Sequence, residues 1–178
     1  MKKRIARLVV VPASVLALFL VPAAAFGRVI PNACIAGIGL WDSKERVARE
    51  WGLPVRMRAV GPDVVWDYPK GSVFLYRWHR APTPNRWIVL GITTTDPRER
   101  LHGIGVGSWR SEVHAASVYG CPARAEFCTL VASRGESRTT DVRLKGNRVV
   151  SLSVSLSSDF DDGGQLQYAD RRCRNSKS

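Results

Sequence analysis

Apolar and polar residues alternate most regularly between residues 149 and 156. Val150, Leu152, Val154 and Leu156 alternate there with serines, which predicts a strand with one buried face and one wet face. Five further segments rich in β-branched and aromatic residues also predict strands, so that each half of the chain carries three. The six predicted strands are 64–68, 73–80, 87–95, 127–132, 139–144 and 149–156.

Two copies of one motif precede these strands. Segment 37–47 starts with Gly-Ile-Gly and ends on Val, and segment 103–113 repeats that plan sixty-six residues later. In each copy a polar residue, Asp42 or Ser108, is expected to cap a short helix that ends at a Gly and a following Pro. The repetition indicates a tandem duplication.

The duplication and the strand pattern together predict an α+β protein. Two helix-plus-antiparallel-meander repeats, about 34–95 and about 100–157, are expected to form one curved antiparallel sheet with the helices packed on one face. Residues 26–178 would then make a single domain with a C-terminal tail over 158–178.

Strand facing follows from the apolar positions. If residues 139–144 bury the same face as residues 149–156, Leu144 lies opposite Val150, which requires a three-residue turn over 146–148. Aligning the last strand of the first copy on that of the second then fixes which of its side chains face solvent.

If the aliphatic residues of strand 73–80 also face the helix, this alignment predicts an exposed apolar patch in the first copy. The second copy has serine and charged residues on the same face. The predicted partner-binding residues are Phe74, Tyr76, Trp78, Trp87 and Val89. Such a patch on a polar sheet is typical of a binding surface. The alternatives are the opposite facing of strand 73–80, or coverage by segment 53–63 or by the tail.

Residues 1–25 are expected to be a secretory signal peptide. Basic residues precede an apolar run, and Ala23-Ala24-Ala25 offers a cleavage site. An uncleaved membrane anchor is the alternative. With the segment removed, the protein would be extracytoplasmic and have no stable membrane insertion.

Four cysteines, all beyond the signal segment, point to disulfides in an exported protein, and three pairings are possible. Cys121 directly follows the second predicted helix and Cys128 lies in the next strand. The preferred pairing therefore joins these two and leaves Cys34 to meet Cys173, which would tie the two ends of the domain together.

Signal removal takes away four basic residues and no acid, and lowers the formal net charge from +12 to +8. A basic exported protein is attracted to anionic envelope polymers. Most arginines are scattered, and only Arg171, Arg172 and Arg174 cluster. Nucleic acid is not an expected partner outside the cell.

The spacing Gly-x-Gly-x-x-[Asp/Ser]-x-x-x-x-Val, followed by a short helix, aromatic-Gly, Pro and three strands, resembles the small repeat of the SmpA/BamE-like and beta-lactamase-inhibitor-protein (BLIP) superfamily. The resemblance covers about residues 34–157. It implies two repeats sharing one sheet, with a concave aromatic face that binds proteins. Cys121 and Cys128 look like the inhibitor's helix-to-strand disulfide. The Gly-Ile-Gly start departs from the inhibitor, so the resemblance implies protein binding in general rather than beta-lactamase inhibition.

Motifs for catalysis or metal binding are lacking. The Gly-Ile-Gly segments have no third glycine at the dinucleotide position, the histidines are isolated, and the acidic segment 159–164 has Gly163 where a calcium loop needs a ligand. The sequence therefore predicts a secreted, non-enzymatic binding protein without cofactor or metal. Its expected partner is an extracellular or envelope protein, and the alternative is an anionic polymer or carbohydrate.

Overall fold

The computed structural model describes residues 29–79, 85–117, 120–132, 138–156 and 173. The predicted signal peptide lies outside the described residues. So does the predicted tail apart from Cys173, and with it the basic cluster at 171, 172 and 174.

Two short helices and eleven strands make up the described part of the chain. In chain order they are β1 (Cys34–Ile35), β2 (Ile38–Gly39), α1 (Lys44–Trp51), β3 (Arg56–Val60), β4 (Asp63–Tyr68), β5 (Gly71–Trp78), β6 (Arg86–Thr94), β7 (Arg100–Leu101), β8 (Ile104–Gly105), α2 (Arg110–Ala116), β9 (Phe127–Ala132), β10 (Arg138–Lys145) and β11 (Arg148–Leu156). The six strands predicted from the sequence are present as β4, β5, β6, β9, β10 and β11.

Seven strands form one antiparallel sheet in the order β3-β4-β5-β6-β11-β10-β9. Strands β6 and β11 meet at its centre, where Ile92 lies opposite Val154. Two small hairpins, β1–β2 and β7–β8, precede the two helices. The sheet therefore joins the two halves of the chain through a direct strand pairing.

The expected α+β fold with helices packed on one face of the sheet is wrong, because the protein is mostly β. Helices α1 and α2 are two turns long and bury one side chain each, Val47 and Val113. Charged residues fill most of the other positions of α1, and the other positions of α2 are charged, polar or alanine, so neither helix has a wide apolar face. The rest of the core comes from the sheet and from the hairpins, which bury Ile35, Ile38 and Ile104.

The predicted turn between the last two strands is also wrong. Lys145 pairs with Arg148 across a two-residue turn, and Leu144 lies opposite Val149 rather than Val150. Since Arg143 pairs with Ser151, Val150 is an extra residue that forms a β-bulge. The bulge turns Val149 into the core in place of Val150.

Asp42 does not cap α1, although the sequence predicts it. The N-cap is Ser43, whose side chain accepts the backbone N–H of Arg46 at 3.3 Å. Asp42 Oδ2 instead accepts the Gly39 backbone N–H at 2.8 Å and the Arg46 Nε–H at 3.1 Å. Asp42 thus links the hairpin to the helix, and the helix is capped one residue later than predicted.

Ser108 takes the same role in the second half of the chain. Its hydroxyl accepts the Gly105 backbone N–H at 3.2 Å, and the N-cap of α2 is Trp109. The Trp109 N–H donates to Glu112 Oε2 at 2.5 Å. Both residues that were predicted as caps therefore accept the backbone N–H of the glycine that ends a hairpin. This N–H is buried and needs an acceptor.

Two disulfides are present. Cys121 is bonded to Cys128 and Cys34 to Cys173, with Cα–Cα distances of 5.3 and 5.9 Å. This is the pairing preferred from the sequence. The Cys34–Cys173 bond closes a sequence separation of 139 residues, so it constrains most of the unfolded chain.

Candidate binding groove

A groove of 640 Å³ crosses the face of the sheet that points away from the core. Its floor follows one row of strand pairs, in which Val65 on β4, Phe74 on β5, Gly91 on β6 and Ser155 on β11 lie side by side. Directly opposed residues in an antiparallel pair share a face. The groove therefore spans both halves of the chain.

Gly91 opens the centre of this row. A Cβ added there would lie 3.6 Å from the Phe74 Cβ and 3.8 Å from the Ser155 Cβ, which are ordinary contact distances. The space is thus empty because the residue has no side chain, and neighbouring atoms do not fill it.

Three of the predicted site residues, Phe74, Tyr76 and Trp78, line this groove together. They alternate along β5 with Val73 and Leu75, which are buried in the core. Trp78 lies deepest, with 2% of its surface exposed. The predicted alternation along β5 therefore holds, but the expectation that Trp78 is exposed is wrong, because it packs within the core.

Trp87 and Val89 do not belong to this face. Val89 lies opposite Leu75 and is fully buried, and Trp87 lies opposite Arg77 on the same core side and is half-buried. The cause is a bulge at Leu90, because Phe74 pairs with Gly91 and Leu75 with Val89. One extra residue reverses the facing of everything before it in the strand.

Trp41 closes one end of the groove behind Trp78. Their rings meet edge to face with centroids 5.8 Å apart, a favoured aromatic geometry. The backbone of Trp41 is held in the left-handed region at φ 71°, and its N–H donates to the Val89 carbonyl at 2.8 Å. The aromatic end of the groove is therefore fixed by both packing and backbone pairing.

A charged pair lies at the opposite rim. The Arg58 guanidinium donates to both carboxylate oxygens of Asp67, at 2.6 and 2.9 Å. The hydrogen bonds from Arg58 hold the pKa of Asp67 below its ordinary value. Because the pair is largely exposed, its contribution to stability is small, but it presents a flat polar edge to the groove.

The wall contributed by the second half is polar. Ser153 and Ser155 lie on β11, and beyond them the Asp141 carboxylate accepts hydrogen bonds from Thr129 at 2.7 Å and Thr139 at 2.6 Å. The groove thus has aromatic rings on one side and hydroxyl groups on the other.

Strand β3, at the edge of the sheet beside the groove, was missed by the sequence analysis. All five of its residues are exposed, including Met57 at 66% and Val60 at 46%, and Val55 just before it is exposed at 70%. Its arginines broke the apolar pattern. The sequence signal that could have revealed it is the Gly61-Pro62 pair, which forms the two-residue turn to β4, with Gly61 at φ 61°.

Neither a metal-ligand cluster nor a membrane-spanning helix is found among the residues that the structure describes. Those residues contain no cluster of three or more His, Cys, Asp or Glu side chains able to hold a metal ion. They also contain no helix of the length and apolar character needed to cross a membrane.

No protein-family model matches the sequence, and no curated protein matches it significantly. Among solved structures, an extracellular protein containing a SCP domain from Bacillus anthracis str. Ames is similar with a TM-score of 0.40 and 9% sequence identity. The similar region covers 67% of this chain and 44% of that one. A likeness this weak bears on neither fold nor function.

Proposed function

We propose that this chain is an exported, non-enzymatic binding protein whose groove holds part of a partner protein. The observation that carries the proposal is the groove itself, where Phe74, Tyr76 and Trp78 line an opening of 640 Å³. Aromatic side chains supply large contact area at low entropic cost. The volume falls within the range of ordinary ligand sites.

The edge strand β3 favours a polypeptide as the occupant. An unpaired strand edge can add a further strand, and extended peptides bind many proteins in this way. Exposed Val55, Met57 and Val60 add apolar area next to the groove. A partner segment paired with β3 would lie beside Arg58 at the rim of the groove, and adjoining residues of the partner would have to cross β3 and β4 to reach Phe74.

Export is part of the same proposal. Two disulfides are present in the structure, and such bonds form and persist in oxidising compartments. The charged and apolar start of the chain has the pattern of a signal peptide. Membership of the SmpA/BamE-like and BLIP superfamily remains a proposal on the motif spacing alone.

The test is site-specific photo-crosslinking in envelope and culture fractions. A photoreactive residue at Ser155 should capture a defined protein, and Tyr76→Ala should reduce that capture by at least about tenfold. Phe127→Ala is the matched control, because Phe127 is an aromatic of the same sheet that is 62% exposed and lies outside the groove. Equal loss in both variants would overturn the proposal.

A carbohydrate is the second candidate occupant. Aromatic rings beside Ser72, Thr93 and Ser153 offer stacking together with hydroxyl hydrogen bonds. An anionic envelope polymer, attracted by the net charge, belongs to this alternative. Binding to isolated envelope polysaccharide that is lost in Tyr76→Ala would favour it, whereas binding that only falls with rising salt would indicate charge attraction.

A further inference from the structure

A second cavity, of 370 Å³, lies between the end of α1, the β4–β5 turn and the segment after β6. Its walls include Trp51, Tyr68 and Pro69 as apolar surface, and Asp96, Arg98 and Glu99 as charged groups. No lining residue is shared with the groove. The two sites can therefore be tested separately.

The aromatic walls are fixed in place. Trp51 and Tyr68 meet edge to face with centroids 5.2 Å apart. The Trp51 Nε1–H donates to the Ala36 carbonyl at 3.1 Å, and the Tyr68 hydroxyl donates to the Gly52 carbonyl at 3.3 Å. With their polar atoms engaged, the rings present apolar faces to the cavity.

The two cations at the cavity are both bound to Asp96. Lys70 Nζ donates to its Oδ2 at 3.0 Å, and Arg98 donates to the same oxygen from Nη2 at 2.7 Å and from Nε at 3.2 Å. These bonds hold the pKa of Asp96 well below its ordinary value, with the hydrogen bond from Arg98 as the main cause. Asp96 is thus fully paired within the protein, and the three groups together carry a net charge of +1.

Glu99 differs from Asp96 in this respect. Glu99 is only 6% exposed, and its buried Oε2 has no hydrogen-bond partner among the described residues. The backbone N–H of Ala36 hydrogen-bonds the carboxyl group. Burial raises the pKa of Glu99, and the charge of Asp96 raises it further. A buried carboxylate oxygen without a donor is costly.

We propose that this cavity binds a small amphipathic amine, with its ammonium group on Glu99 and its apolar body against Trp51 and Tyr68. An ammonium group donates to a carboxylate and is also attracted to aromatic faces. Lys70 and Arg98 occupy Asp96 and leave one excess positive charge, which Glu99 balances. Because its Oε2 has no hydrogen-bond partner among the described residues, Glu99 is the carboxylate of the cavity that is left to accept the ammonium.

The source of the ammonium group is either a free amine or a lysine side chain of a polypeptide. Phenethylamine represents the first and Nα-acetyl-lysine amide the second. Phenylethanol and phenylacetate have similar shapes with a neutral and an anionic group, so they separate charge recognition from hydrophobic fit.

Calorimetric titration of the intact protein tests the proposal. At least one of the two amines should bind, and at least about tenfold more tightly than phenylethanol or phenylacetate. Glu99→Gln should remove that preference, while Glu126→Gln, at an exposed carboxylate outside the cavity, should leave it unchanged. Failure of both amines to bind at about 10 mM, or equal binding of the alcohol, would overturn the proposal.

Wild-type pH dependence provides a measurement that does not rely on a variant folding. Since the ammonium needs an ionised Glu99, affinity should fall as the pH drops through the raised pKa of this group. The other titratable groups lining the cavity are Lys70, Asp96, Arg98 and Tyr68. The pKa of Asp96 is lowered and the pKa values of Arg98 and Tyr68 are raised, so these three groups keep their charge state in mildly acidic solution. Affinity that stays constant across this range would count against an ammonium–Glu99 contact.

Discussion

Substitution of Gly91 should separate binding from folding. This glycine lies at the centre of the groove floor, and a Cβ there would make contacts of 3.6 and 3.8 Å with Phe74 and Ser155. Its φ is not in the left-handed region, so a side chain meets no backbone strain. Gly91→Val should therefore fill the groove without disturbing the sheet.

The expected change in the free energy of unfolding follows from the position of Gly91 inside a strand. Glycine inside a strand costs roughly 0.5–1 kcal/mol relative to alanine, and valine is favoured in strands. The free energy of unfolding of Gly91→Val should then rise by about 1 kcal/mol, which raises Tm by about 2–4 °C in a chain of this size. Partner affinity should fall by at least about tenfold, because the branched side chain occupies the floor between the aromatic and polar walls.

Gly71→Ala is the matched control, because Gly71 lies in β5, pairs with Thr94 of β6 and does not line the groove. A Cβ at this position would overlap the Thr93 carbonyl oxygen, so the backbone must move and stability should drop by roughly 1–3 kcal/mol. Thermal unfolding by circular dichroism, together with crosslinking from Ser155, measures both effects. Undiminished capture by a stable Gly91→Val protein would refute the assignment of the groove as the binding site.

Three further substitutions test the fold. Removing the Cys121–Cys128 bond with serines should cost about 2.5 kcal/mol, by the entropy of an eight-residue loop, measured by urea unfolding against the wild type. Ser43→Ala, at the observed N-cap, should cost about 1 kcal/mol in the same assay. The lowered pKa of Asp96 stabilises the fold above pH about 4, and this stability is lost as the pH falls below it. Asp96→Asn should therefore lower Tm at pH 7 and flatten the fall of Tm in acid, and an unchanged acid profile would contradict that role.

The sequence predicted strand positions well and strand facing poorly, for a physical reason. Strands need only β-branched and aromatic composition to be recognised, but facing requires the count of residues to be right. The bulges at Leu90 and Val150 each add one residue, and each reverses the facing on one side of it. Gly91 next to Leu90 is a weak sign of a bulge, while Val150 has no such neighbour.

The candidate site was predicted in part for the same reason. Strand β5 contains no extra residue, so simple alternation placed Phe74, Tyr76 and Trp78 correctly on one face. Trp87 and Val89 lie before the bulge in β6, and the same alternation misplaced them. The cavity around Glu99 had no sequence signal, because its lining comes from segments that are distant along the chain.

The two halves of the chain carry different residues at one equivalent backbone position, and only the first half has an aromatic ring there. Trp41 and Gly107 both have left-handed backbones, at φ 71° and 93°, and both donate a backbone N–H to a central strand, at Val89 and Val149. Glycine adopts this conformation freely, whereas a tryptophan there carries a cost of about 1 kcal/mol or more. The first half bears that cost and uses the ring to pack on Trp78. Trp41→Gly should therefore relieve backbone strain but loosen Trp78. Crosslinking from Ser155 should then fall although Trp41 itself does not line the groove, and unchanged capture would contradict this role.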